Sequence, residues 1–178
     1  MTDQPLSVVV AGGGTAGHIE PALAVGEVLR TRHGANVVAL GTERGLETSI
    51  VPTRDFELRL IDPVPIPRGK PWLLFGVPVK LVKSVNQTRQ VLKDTQAQAV
   101  FGTGGYVSAS AYLAARSLRI PFFVLETNAL AGMANKLGVK LGGVGFNAVA
   151  DSGMPGDVVG IPVRPGLGAD PDGAKAQR

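Results

Sequence analysis

The stretch SVVVAGGGTAGHIEPALAVGEVL, residues 7–29, joins an apolar run to a glycine cluster and then to a helix-forming segment. Val8, Val9 and Val10 predict a strand covered on both faces. Gly12, Gly14 and Gly17 fit the spacing G-x-G-x-x-G, which brings backbone N–H groups against whatever docks at the next helix. That helix offers roughly half a positive charge at its N-terminus. The same spelling serves a dinucleotide, another anionic ligand, or a tight turn with no ligand. A nicotinamide dinucleotide also needs Asp or Glu about twenty residues on, at the end of the second strand. Here that strand ends Ala39-Leu40-Gly41-Thr42, and Glu43 follows only after the turn. The last glycine is followed by His18, where small or apolar residues are usual. A P-loop is excluded because no Gly-Lys-Ser/Thr follows.

The pattern continues outward from this loop. LSVVVA (6–11), NVVAL (36–40), FELRLI (56–61), QAVFG (98–102) and PFFVLE (121–126) read as strands, with weaker ones at 143–147 and 157–160. Helices are expected over 21–32, about 43–52, 78–94, 106–118 and 129–139. Strand–helix alternation predicts an α/β fold, a Rossmann-like, doubly wound parallel sheet. Ligands then sit beyond the carboxyl ends of the strands. Both the first loop and a second one, FGTGGYVSASAYLAA (101–115), are expected there, with ETNALAGMANK after the fifth strand.

The chain has 178 residues, 18 Lys and Arg against 14 Asp and Glu, two His and no Cys. Disulfides and thiolate metal sites are thereby excluded, and no metal or other cofactor is expected. The positive excess is too small to predict nucleic acid but tolerates phosphates or an anionic membrane surface. The start MTDQPLS carries no signal-peptide pattern, and no apolar run approaches the ~20 residues that span a bilayer. An intracellular protein is expected.

Several side chains fall where chemistry would be. His18 sits at the loop–helix junction, where an imidazole could take a proton near neutral pH. Glu126 ends an apolar strand at the ligand edge, as a partner for sugar hydroxyls, a support for His18, or a cap. Asn128 is an N-cap or a ligand contact, and Tyr106 reaches the cleft or packs inside. His33 is expected as an exposed C-cap. PRGKPWLLFGVPVKLVKS (67–84) sets Trp72, Leu73, Leu74 and Phe75 among Arg68, Lys70, Lys80 and Lys83. That composition suits either an anionic headgroup zone or a loop against the core.

GGGTAGHIEPALAV, FGTGGYVSASAYLAA, LETNALAGMANKLG and VVGIPVR occur in the order and spacing of the MurG family, which the chain resembles over residues 7–164. These are bacterial peptidoglycan N-acetylglucosaminyltransferases that convert lipid I to lipid II. They are metal-independent inverting enzymes of the GT-B class, working at the cytoplasmic face of the membrane. The resemblance implies that residues 1–164 are an N-terminal, acceptor-side domain. Residues 165–178 would be a linker, and a C-terminal donor domain would be missing, so that this half alone is expected to be inactive.

It further implies UDP-N-acetylglucosamine as donor, contacted by Thr15, Ala16, Gly17, Asn128 and Arg164. The acceptor would be undecaprenyl-pyrophosphoryl-N-acetylmuramyl-pentapeptide (lipid I). His18 would be the catalytic base. Glu126 and Tyr106 would line the acceptor side, Gly104 and Gly105 would cradle the acceptor's pyrophosphate, and Trp72–Phe75 would face the membrane. Three residues depart from the family pattern: Leu125 and Thr127, where Leu125-Glu126-Thr127-Asn128 replaces His-Glu-Gln-Asn, and Ala16, which replaces a glycine and requires that residue 16 avoid positive φ. A different class of reading is a membrane-associated acceptor-binding subunit of a split two-chain glycosyltransferase.

Overall fold

The computed structural model describes residues 5–64 and 77–163. Among them, seven strands form one sheet. They are β1 (Ser7–Gly12), β2 (Asn36–Gly41), β3 (Glu57–Leu60), β4 (Ala99–Gly104), β5 (Phe122–Glu126), β6 (Val144–Asn147) and β7 (Asp157–Val158). Their order is β3-β2-β1-β4-β5-β6-β7 and every pairing is parallel. The connections hold α1 (Ala16–His33), α2 (Glu47–Ile50), α3 (Val77–Asp94), α4 (Gly105–Leu118) and α5 (Met133–Lys140). Strand order reverses between β1 and β4, and an open α/β sheet binds its ligands at that switch point.

Side chains alternate along each strand and sort the helices into two layers. Val8 and Val10 of β1 pack with Ile19, Ala22 and Leu23 of α1. Val9 and Ala11 pack with Val107, Ala111 and Tyr112 of α4 and Leu92 of α3. The central strands are therefore apolar throughout, as expected. The edge strands are the exception: Glu57, Arg59 and Leu60 of β3 and Asp157 and Val158 of β7 are exposed. Among the described residues no helix is long and apolar enough to cross a membrane.

Helix boundaries shift for local reasons. α1 starts at Ala16, five residues before the expected position, although it contains Pro21. Proline lacks the N–H that would bond the carbonyl four residues back, and that carbonyl belongs to Gly17; it is met instead by the Thr127 hydroxyl at 3.5 Å. The cap of α1 is Gly34, at φ 62°, and not His33, which is the exposed last helical residue; a left-handed cap favours glycine. The helix expected over about 43–52 is one short turn, closed by a 3-10 turn at Pro52–Arg54. The one expected from 129 begins only at Met133, because the Glu126 carboxylate holds the preceding loop open.

Candidate functional site

The two glycine loops meet at the carboxyl edge of the sheet. The Gly13 N–H points at the Gly104 carbonyl at 3.4 Å. A Cβ on Gly105 would lie 2.4 Å from the Gly13 oxygen, and one on Gly12 would lie 2.4 Å from the His18 oxygen. Gly104 and Gly105 also take φ of 120° and 80°, values that side-chain-bearing residues avoid. Only glycine lets the loops interlock. In the first loop the positive φ falls on Gly14, at 86°, while Ala16 is already helical, so the alanine is accommodated.

Two buried hydroxyls that the sequence reading passed over fasten this junction. Thr103 donates to the His18 carbonyl at 2.6 Å. Ser108 lies between the Ala11 and Gly104 carbonyls at 2.7 and 2.8 Å and accepts the Gly104 N–H at 3.0 Å. A third group is Glu47, fully buried, whose carboxylate accepts the Gly14 N–H at 3.0 Å. Its Oε1 and Oε2 lie against Gly13 and Gly45 and its Cβ against Gly41, each so close that a side chain there would collide. Only that ring of glycines at 13, 41 and 45 signalled a buried acid in the sequence.

Both helices that open onto this edge lack an acidic residue in their own first turn, and the Glu47 carboxylate below α1 is taken up by the Gly14 N–H. α1 and α4 also have no side-chain hydrogen bond at their N-caps, Thr15 and Gly104. Backbone N–H groups there remain for an anionic ligand.

Between α4, α5 and the loops lies a cavity of about 390 Å³, lined at one end by His18, Gly104, Gly105, Tyr106, Glu126, Asn128 and Asn135. His18 is half-buried against the second loop, and a Cβ on Gly104 would lie 2.8 Å from its Cε1. Its Nδ1 is buried and has no hydrogen-bond partner among the described residues. An N–H placed there would be an unmade bond costing about 1–3 kcal/mol. A neutral ring with its proton on Nε2, a tautomer assigned from the hydrogen bonding, avoids that cost.

Glu126 is fully buried and saturated. One oxygen accepts the Asn128 backbone and side-chain N–H groups at 2.8 and 2.9 Å; the other accepts Gly132 N–H and Asn135 Nδ2, each at 2.9 Å. Burial opposes its charge, but these bonds outweigh that and hold the carboxyl below the ordinary carboxylate range. A carboxylate so engaged positions Asn128 and the 127–132 loop and leaves no free lone pair for sugar hydroxyls. Asn135, also missed in the sequence, links this network to the buried Tyr112 hydroxyl at 3.0 Å. Tyr106 both lines the cavity and bonds Thr42 across the β2 end at 3.0 Å.

Of the other expected site residues, Thr15, Ala16 and Gly17 are exposed at the start of α1. Arg164, Arg68, Lys70 and Trp72, Leu73, Leu74 and Phe75 lie outside the described residues. Lys80 and Lys83 are exposed on α3, and Lys83 pairs with Asp62.

A model of the glycosyltransferase family 28 N-terminal domain matches residues 8–141. The UDP-N-acetylglucosamine--N-acetylmuramyl-(pentapeptide) pyrophosphoryl-undecaprenol N-acetylglucosamine transferase of Corynebacterium efficiens is 67% identical over 175 residues, covering 98% of this chain and 49% of that protein. The protein of the same name in Corynebacterium glutamicum is 66% identical over 173 residues, covering 97% and 49%. The crystal structure of Acinetobacter baumannii MurG superposes with a TM-score of 0.77 at 32% identity, over 88% of this chain and 45% of that one. The chain spans about half the length of the curated relatives it matches.

Proposed function

Because the chain belongs to the glycosyltransferase family 28 N-terminal domain family, we propose that residues 1–164 form the acceptor-side domain of an N-acetylglucosaminyltransferase. It acts on a diphosphate-linked, membrane-carried muramyl acceptor with UDP-N-acetylglucosamine as donor. The activity for which these relatives are named motivates the substrates. The observation that carries the reading is the pair of interlocked glycine loops, which set His18, from the first turn of α1, and the uncapped N-terminus of α4 at one cavity.

Each part of that geometry has a chemical use. Dinucleotide binding is disfavoured because β2 ends at Gly41, followed by buried Thr42, and the nearby acid, Glu47, is turned under the loop. An anionic diphosphate suits the first turn of α4 at Gly104, Gly105 and Tyr106. The exposed first turn of α1, at Thr15, Ala16 and Gly17, together with Asn128, supplies groups for the nucleotide sugar; Arg164, outside the described residues, is a donor contact that the family resemblance implies. His18 removes the proton from the acceptor's hydroxyl as the bond to the sugar forms and the nucleoside diphosphate leaves. For that, its proton must move to Nδ1, which the ligand or the rest of the enzyme must then engage. Association is with the cytoplasmic membrane face; exposed Val79 and Val82 beside Lys80 and Lys83 support contact with an anionic leaflet.

The test is complementation. The chain, mixed with or fused to the C-terminal half of the Corynebacterium efficiens relative, is assayed by mass spectrometry for sugar transfer to lipid I. Product from the pair, and none from either half, is expected. A folded pair that binds UDP-N-acetylglucosamine yet makes no product would overturn the reading.

A further inference from the structure

We propose that the inner wall of the cavity is a subsite for the first isoprenoid units of a lipid diphosphate, so that the domain reads the lipid directly and not only its head. This deepens the acceptor-side reading and rests on it. Beside Gly104, Gly105 and Tyr106 the same cavity is lined by the apolar side chains of Val64, Leu81, Ala109, Ala134 and Leu137 and, at its exposed margin, Met133. Ala109 lies one turn into α4, about 5.4 Å along the axis from the residues at its positive end. Met133, Ala134 and Leu137 share a face of α5.

Among the described lining residues the carboxylate and the imidazole are those of Glu126 and His18, and Glu126 is already saturated. A sugar or peptide lying along the far wall would leave its polar groups unpaired there, each at a cost. A branched hydrocarbon would not. A cavity of about 150 Å³ takes a benzene molecule, so about 390 Å³ has room for about two units of that size beside the polar groups.

The spacing fits a molecule whose anionic and apolar parts are adjacent. A diphosphate at the first turn of α4 places its ester carbon within one helical turn of Ala109. The wall is continuous with the outside of α3, where Leu81 lines the cavity while Val79 and Val82 are 73% and 60% exposed beside Lys80 and Lys83. The remainder of a long chain can pass from the wall over that apolar, cation-fringed helix into the bilayer.

The experiment is calorimetric titration of this chain, in solution and without vesicles, with geranyl diphosphate and with methyl diphosphate. Geranyl diphosphate is expected to bind about tenfold tighter or more, from burial of its chain. Ala109→Phe, which fills the wall, and Leu81→Ser, which makes it polar at a half-buried position, should each remove that advantage and leave methyl diphosphate binding unchanged. Thermal melting establishes that each variant folds, and either alone suffices. Equal binding of the two probes to the monomeric chain overturns this inference and leaves the acceptor-side reading standing. Equal binding to a chain that sediments as a dimer assigns the wall to a second copy and also overturns it. Binding of neither probe overturns both.

Discussion

The backbone N–H of Gly14, the residue of the first loop held at φ 86°, donates to the buried carboxylate of Glu47 at 3.0 Å. The loop is therefore braced from beneath by a side chain that never reaches the cavity. Glu47→Ala removes the brace and leaves a hole among Gly13, Gly41 and Gly45, so it should cost about 2–4 kcal/mol in urea unfolding. Glu47→Gln keeps an oxygen toward Gly14 and should cost about 1 kcal/mol or less. If both variants unfold like the parent, Glu47 does not brace the loop.

Glu126 makes stability depend on acid. Its folded-state pKa lies below the unfolded value, so its contribution is complete above about pH 4.5, the ordinary glutamate value, and is lost as pH falls through the lower folded value. Asp62 is also held low, by Lys83 and Gln87, and adds its own acid dependence, so the comparison must be with Glu126→Gln. An amide there turns N–H against N–H, and the variant should be about 1–3 kcal/mol less stable at pH 7. The gap should narrow progressively as pH falls from about 4.5 through the lower folded-state value. A gap that stays constant from pH 7 to pH 3 would show that the ionised form is not what holds the 127–132 loop.

The central sheet was legible because the strands of a doubly covered layer are apolar throughout, as β1 and β2 are, and because glycines mark both of its ligand-edge turns. The fastenings of the site were not. Thr103 and Ser108 look like ordinary polar residues in FGTGGYVSAS, and their roles come from β1 lying beside β4, a long-range pairing. Glu47 sits in a segment that reads as a surface helix. Asn135 occupies one position of a short helix whose start is set by Glu126 from outside it. Polar groups acting across the topological switch leave little local signal; the apolar period does.

His18 yields a spectroscopic prediction as well as a kinetic one. Since Nδ1 is buried without a partner, nitrogen-15 spectra of the chain alone should show the Nε2–H tautomer. In the complemented enzyme with acceptor bound, a general base requires the proton on Nδ1, and the spectrum should change accordingly. His18→Ala should lower kcat by about 10²–10⁴-fold. A loss confined to KM would make His18 a binding residue, and an Nδ1–H form already present in the chain alone would contradict the hydrogen-bonding assignment.

Glycines 17 and 105 separate what the fold needs from what the ligand needs. A Cβ on Gly105 would strike the Gly13 oxygen at a φ of 80°, so Gly105→Ala should cost about 2 kcal/mol or more. A Cβ on Gly17 would meet only the Thr15 hydroxyl at 3.8 Å, within a helix. Alanine there should be neutral or should stabilise by up to about 1 kcal/mol, the difference in helix propensity. If Gly17 is a glycine because the nucleotide sugar approaches the backbone closely, Gly17→Ala in the complemented enzyme should raise the KM for UDP-N-acetylglucosamine about tenfold or more while the melting temperature holds or rises. An unchanged KM would remove Gly17 from the donor wall and leave the ligand to the N–H groups of α4.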